Sequence, residues 1–199
     1  ALELKHGVIM ADAVNGKAGK AAIVTGASRG IGRAIALRLA RDGYAVAVNY
    51  ASRAPDAEAV VTEIAAAGGC AIAIQADVAQ AADAQRLFDQ AEAALGAIDV
   101  LVNNSGVIQP GTTMLADTDD ALYERIFSIN TRGTFHMLRL AATRLRQGGR
   151  IVNFSTSAIG LAMPGYAVYA GAKAAIETFT NIFAKEMRGK RISVSCVAP

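Results

Sequence analysis

The chain predicts an α/β fold, a doubly wound parallel sheet with helices on both faces, and three observations point there. Short β-branched runs alternate with alanine-rich amphipathic stretches from Lys20 onward, and a glycine-rich turn joins the first such run to the first such stretch. The 199 residues, 53% of them hydrophobic, suffice for one domain with a sizeable core. Repeated alternation of strand and helix requires crossovers between parallel strands, and parallel strands need helices over both faces.

Residues 1–19 carry Lys5, Gly7, Asn15, Gly16, Lys17 and Gly19 without a sustained period and read as an N-terminal extension ahead of a domain at 20–199. Strands are predicted at 21–25 and 45–50 with a helix at 31–41 between them, then a helix at 56–67 and a strand at 70–75. A helix at 80–94 leads to a strand at 98–102. The second half continues with a long helix at 119–146, a strand at 150–155, a long helix at 167–188 and a sixth strand at 192–197. Helix propensity and close helix packing account for the alanine enrichment. The chain stops at Pro199 directly after a strand, so the C-terminal part of such a sheet is expected to be missing, together with whatever covers the strand ends where ligands bind.

Composition narrows the functional classes. A net charge of +3 with 19% charged residues gives no concentrated nucleic-acid patch, and the arginines at 139, 144, 146 and 150 and the cations Lys185, Arg188, Lys190 and Arg191 read as solvated helix faces. Cys70 and Cys196 lie far apart in apolar surroundings and read as small core residues of a reducing compartment, while His6 and His136 have no ligand spacing, so no metal is expected. No apolar run approaches the roughly 18 residues of a membrane span, and no charged-then-apolar leader opens the sequence. A cytoplasmic protein with no membrane attachment is the expectation.

The first strand runs into Thr25-Gly26-Ala27-Ser28-Arg29-Gly30-Ile31-Gly32 as the first helix begins. Glycines let the backbone turn tightly against a pyrophosphate, and the helix N-terminus offers unpaired N–H groups and a favourable dipole. A Walker loop would need Gly-Lys followed by Ser or Thr, which is absent. An NAD enzyme would place an acid at the end of the second strand; here Asn49 and Tyr50 stand there, and no carboxylate appears until Asp56. Arg29 and Arg53 instead bring positive charge to where a 2′-phosphate would lie, so the expected cofactor is NADP(H).

On the last helix Tyr169 and Lys173 stand one turn apart on one face. A phenol titrates near about 10, and an ammonium beside it favours the phenolate. At roughly 4 Å and an effective dielectric of roughly 20 the attraction is about 4 kcal/mol, a ceiling of about three pKa units. That suffices to make a tyrosine a general acid near neutral pH. Tyr166 has Ala170 four residues on and lacks such a partner.

Together, the glycine turn, Asp77-Val78, Asn103-Asn104-Ser105-Gly106, Asn130, Ser157 and Tyr169 with Lys173 resemble, in order and spacing over about residues 20–199, the short-chain dehydrogenase/reductase family with its Rossmann-like sheet. The nearest flavour is that of 3-oxoacyl-acyl-carrier-protein reductases and related NADP-dependent carbonyl reductases. The resemblance implies adenine contacts from Asp77 and Val78, a cleft lined by Asn104, Ser105 and Gly106 where the family usually reads Asn-Asn-Ala-Gly, and a cofactor contact from Pro199. It implies a catalytic set of Asn130, Ser157, Tyr169 and Lys173, with Ser155 as a second serine candidate. Lys173 would also hold the nicotinamide ribose, and Asn130, a poor helix former, would sit at a local distortion exposing its carbonyl to a water. The substrate would be a small-molecule or acyl-thioester carbonyl compound, and the protein a homodimer or homotetramer paired through its long helices. A catalytically silent NADP-binding regulator or scaffold of the same fold, and a phosphotransfer protein, are the competing classes.

Overall fold

The structure, a computed structural model, describes residues 3–5, 8–10 and 19–199. Two three-residue strands, β1 (Glu3–Lys5) and β2 (Val8–Met10), pair antiparallel ahead of the domain. They are too short to leave a periodic signal, so the reading of 1–19 as patternless misses them; His6 and the remainder of the extension lie outside the described residues.

The domain is one six-stranded parallel sheet of β3 (Ala21–Val24), β4 (Ala45–Tyr50), β5 (Ala71–Gln75), β6 (Ile98–Asn103), β7 (Arg150–Phe154) and β8 (Ser193–Val197), in the order β5-β4-β3-β6-β7-β8. Its helices are α1 (Gly30–Arg41), α2 (Ala54–Ala66), α3 (Ala81–Leu95), α4 (Asp120–Ile126), α5 (Gly133–Arg144), α6 (Ala158–Leu161) and α7 (Ala167–Glu186). Alternate residues of β3 face opposite layers, as a strand's period of two requires. Ala21 and Ile23 join a core with Phe88 of α3, Met137 of α5 and Phe179 of α7, while Ala22 and Val24 meet Ala36 of α1 and Val60 and Ile64 of α2. The chain runs outward from β3 to β5 and then returns to start β6 on the other side of β3. The reversal of strand order therefore falls between β3 and β6, the place where such sheets bind ligands.

Three features depart from the sequence reading. The helix expected at 119–146 is interrupted by a π-helical turn, Phe127–Arg132, between α4 and α5. The four-residue α6 was too short to predict, and it ends at Ala162 in the left-handed region (φ 48°). The first basic group is also less solvated than expected, because Arg144 pairs with Asp89 (2.8 Å) and Glu92 (2.6 Å), and Arg146 with Asp99 (3.3 Å).

Candidate active site

The glycine turn is held from beneath by two asparagines. The Gly26 amide donates to Asn49 Oδ1 (3.2 Å), and Asn49 Nδ2 donates to the carbonyls of Ile74 (3.2 Å) and Ala76 (3.0 Å). Asn104 Nδ2 donates to the carbonyls of Thr25 (2.9 Å) and Gly26 (3.0 Å), and Thr25 Oγ1 accepts from the Asn104 and Ser105 amides (3.0 Å each). Gly26 (φ 61°) and Gly30 (φ 56°) occupy the left-handed region that L side chains rarely adopt. A Cβ on Gly32 would lie 2.4 Å from the Gly26 carbonyl, so this glycine permits the turn to close on its helix. Arg29, the N-cap of α1, makes no side-chain capping bond, which leaves the first-turn amides facing outward.

Above this turn lies a cavity of about 540 Å³ that gathers the carboxyl ends of four strands. Gly26, Ser28, Arg29, Gly30 and Ile31 follow β3; Tyr50 and Arg53 come at the end of β4; Asp77 and Val78 follow β5; Asn104, Ser105 and Gly106 follow β6. The structure thus gathers these residues in one place. Of the other cofactor contacts expected from the sequence, Gly32, Asn49, Tyr169, Lys173 and Pro199 do not line this cavity: Asn49 is buried, with its side chain committed to bracing the turn, and Gly32 lies beneath the turn. Arg53 reaches the cavity but is paired with Asp56 (3.1 Å), which leaves Arg29 as the cavity arginine near the turn with no ion-pair partner among the described residues. The sequence reading missed Arg125 and Ile129, which also line the cavity, from α4 and the π turn. Their spacing of four was a signal, lying in a stretch read as one long helix distorted locally at Asn130.

The cavity joins the predicted catalytic residues at Gly106. A Cβ there would lie 2.9 Å from Asn130 Oδ1 and 3.3 Å from Lys173 Nζ, so both side chains converge on a backbone bare of any side chain. Asn130 is fully buried in the π turn. Its side chain exchanges two 2.8 Å hydrogen bonds with the Val107 backbone, donating to the carbonyl and accepting from the amide, and its own carbonyl accepts the Thr134 hydroxyl (2.8 Å). The expected distortion is present, and one of the carbonyl's two lone pairs is already taken. Lys173 is buried on α7, and its Nζ donates to the Phe154 carbonyl (2.8 Å). Burial lowers its pKa from 10.5 to about 8, a shift slightly opposed by the nearby Cys196 thiol. Tyr169 stands half-buried one turn earlier.

Three hydroxyls follow β7 and differ in what they have left to give. Ser155 is buried and donates to Glu177 Oε1 (2.6 Å). Thr156 Oγ1 accepts from the Ala158 amide (3.3 Å), which leaves its own proton free. Ser157 is exposed at the start of α6, and its amide donates to the Pro199 carbonyl (3.1 Å). Pro199 therefore lies against Ser157 and does not line the cavity.

The described residues contain no cluster of three or more metal-ligating side chains and no helix long and apolar enough to cross a membrane. Cys70 and Cys196 are both free, and His136 is held by the Val78 carbonyl (3.0 Å). A glycine cradle with outward-facing amides, next to a cavity carrying Arg29, Arg53 and Arg125 against the single acid Asp77, suits a dianionic pyrophosphate.

Comparison with known proteins agrees with this geometry. The family model described as short chain dehydrogenase matches residues 20–199. The Short chain dehydrogenase/reductase AacuN of Aspergillus aculeatus is 44% identical, the match covering 92% of this chain and 69% of that protein. A chloroplastic NADPH-dependent aldehyde reductase-like protein of Arabidopsis thaliana is 43% identical, covering 92% and 72%. The crystal structure of a short chain dehydrogenase from Burkholderia cenocepacia in complex with NADP is 39% identical, with a TM-score of 0.86 over 90% of this chain and 73% of that one. With the cradle at the sheet's reversal point, and Asn130 and Lys173 meeting at its rim, the chain belongs to the short-chain dehydrogenase family of oxidoreductases.

Proposed function

We propose that this protein reduces a carbonyl compound to an alcohol with NADPH, Tyr169 acting as the general acid. The observation that carries the reading is the junction at Gly106, where the cavity that fits the nucleotide meets Lys173 and Asn130. When bound, the reduced nicotinamide supplies the hydride. Tyr169 donates its proton to the carbonyl oxygen, and Ser157 hydrogen-bonds that oxygen as charge develops on it. Lys173 holds positive charge beside the tyrosine and contacts the nicotinamide ribose. The Asn130 carbonyl holds the water that resupplies the proton.

Preference for NADPH rests on Arg29, with Arg53 and Arg125 adding charge to the cavity, and on the absence of an acid at the end of β4. An NADPH-dependent name among the relatives and an NADP-bound structure among the neighbours support it. The relatives' names do not single out 3-oxoacyl thioesters, so the substrate is proposed more broadly as an aldehyde or ketone, with a 3-oxoacyl thioester included in the trial panel.

NADPH oxidation with such a panel tests the reading. Tyr169→Phe is expected to lose about 10²-fold to 10⁴-fold in turnover while NADPH affinity stays within about twofold. Undiminished turnover in that variant sinks the mechanism, and tight NADPH binding without turnover in the parent favours the silent regulator. Thr156 keeps a donatable proton at the same strand end, so Ser157→Ala and Thr156→Val belong in the same experiment. Loss in the second alone moves the carbonyl contact to Thr156.

A further inference from the structure

The described face of α7 that carries Tyr169 and Lys173 continues as a polar stripe, of which the proposed chemistry uses Lys173 alone. Lys173, Glu177 and Thr180 are spaced i, i+4, i+7, within roughly 60° around the helix. Each takes hold of a different one of three consecutive residues at the end of β7. Asn153 Nδ2 donates to Thr180 Oγ1 (2.8 Å), Lys173 Nζ donates to the Phe154 carbonyl (2.8 Å), and Ser155 Oγ donates to Glu177 Oε1 (2.6 Å). The grip runs deeper at both ends. Asn153 Oδ1 accepts from Asn103 Nδ2 of β6 (2.8 Å), and the Thr180 hydroxyl donates to the Ile176 carbonyl (2.7 Å). Asn103, Asn153, Ser155, Lys173 and Thr180 are all buried.

Such an arrangement is costly unless complete, because each buried polar group left without its partner loses solvation and gains nothing. An apolar helix face on an apolar strand end would pack as well but would slide. Three directional bonds to consecutive residues fix both the rotation and the axial position of α7 against β7. The helix carries Tyr169, one turn before the stripe begins, and the strand end carries the Thr156–Ser157 hydroxyls, one residue after the grip ends. We infer that Glu177 is a positioning residue: through Ser155 it sets the register between the helix that holds the acid and the loop that holds the carbonyl's hydrogen-bond donor. This rests on the carbonyl-reduction reading for its consequence in turnover, but the grip itself is independent of that reading. Glu177 touches no reacting atom in this scheme, and its effect comes from the steep dependence of rate on placement, where about 1 Å of error costs about 10²-fold.

The test uses Glu177→Leu, Glu177→Gln, Ser155→Ala and the Ser155→Ala/Glu177→Leu pair, with turnover, NADPH affinity and backbone hydrogen exchange measured on each. Leucine fills the space and cannot accept a hydrogen bond. Glu177→Leu should lower kcat by about tenfold or more and leave the NADPH Kd within about twofold. Glu177→Gln keeps an acceptor oxygen for Ser155 and should hold kcat within about threefold of the parent. Ser155→Ala should match Glu177→Leu, and the pair should be no worse than either single change, since both remove one interaction. Independently of any substrate, amides 157–161 should exchange about tenfold faster in Glu177→Leu and Ser155→Ala, while those of β3 stay as protected as in the parent. Unchanged exchange at 157–161 in both variants overturns the inference. So does a fall in kcat matched by equal losses in NADPH affinity and β3 protection, which is general unfolding. A parent that turns over no carbonyl on the panel removes the proposed function alone, and the exchange result still decides the grip.

Discussion

Gly106 has no room for a side chain. A methyl group there would meet Asn130 Oδ1 at 2.9 Å and Lys173 Nζ at 3.3 Å, displacing the two groups that join nucleotide cleft to chemistry. Gly106→Ala is therefore expected to destabilise the fold by about 1–3 kcal/mol in urea titration and to depress turnover far more than that loss accounts for. Lys173 gives a prediction with two opposite signs. Its folded pKa of about 8 lies below its ordinary 10.5, so between those values the unfolded chain binds more protons and stability rises with pH, by up to about 3 kcal/mol. Below about pH 8 the cost of the buried charge is fully present. Turnover should run the other way, falling as pH climbs through about 8 and the amine loses the charge that assists Tyr169. Denaturation midpoints and kcat measured from pH 7 to 10.5 check both, and Lys173→Met should flatten the stability rise. At this scale the sequence was legible wherever a residue's backbone faces the cleft, as at Gly26, Gly30 and Ser28. It misled at Asn49, because standing at a strand end does not say to which side the side chain turns. Neighbouring Tyr50 lines the cavity while Asn49 points under the glycine turn, as the strand's alternation dictates.

Among the elements, the π turn shows how a local irregularity serves a distant contact. Inserting Phe127–Arg132 between two regular helices lets Asn130 pair with both backbone groups of Val107. Asn130→Leu removes both bonds and leaves Val107's groups unpaired, for an expected loss of about 2–4 kcal/mol in chemical denaturation. The conservative Asn130→Asp should lose less, since one acceptor oxygen still serves the Val107 amide. An asparagine inside an apolar helical stretch announces some distortion, but sequence does not say which loop it reaches. That partner lies 23 residues away across the cleft. Strand and helix order was readable because burial imposes periodicity on every element long enough to show it. The four residues of α6 and the three of β1 are too few for any period to appear.

For the molecule as a whole, the unpaired apolar surface on α5 and α7 bears on assembly. Phe135 and Ile182 are exposed there beside Phe179 and Phe183, with Arg139 and Glu186 at the rim of the same groove. Opposite charges at the edges of one apolar face are self-complementary under a two-fold axis, so we propose that this face pairs with a second copy of the chain. Light scattering should report a dimer or larger, and Ile182→Glu should shift it toward monomer without altering NADPH affinity; a parent that is monomeric at micromolar concentration counts against the pairing.

The bracing of the glycine turn has one more consequence. Asn49 ties Gly26 to the carbonyls of Ile74 and Ala76 at the end of β5, and Asn104 ties Thr25 and Gly26 to the end of β6, so the rims of four adjacent strands form one hydrogen-bonded row. Such a row transmits tension. Fragments of the dinucleotide should therefore bind non-additively, an adenosine half stiffening the seat that its nicotinamide half will later take.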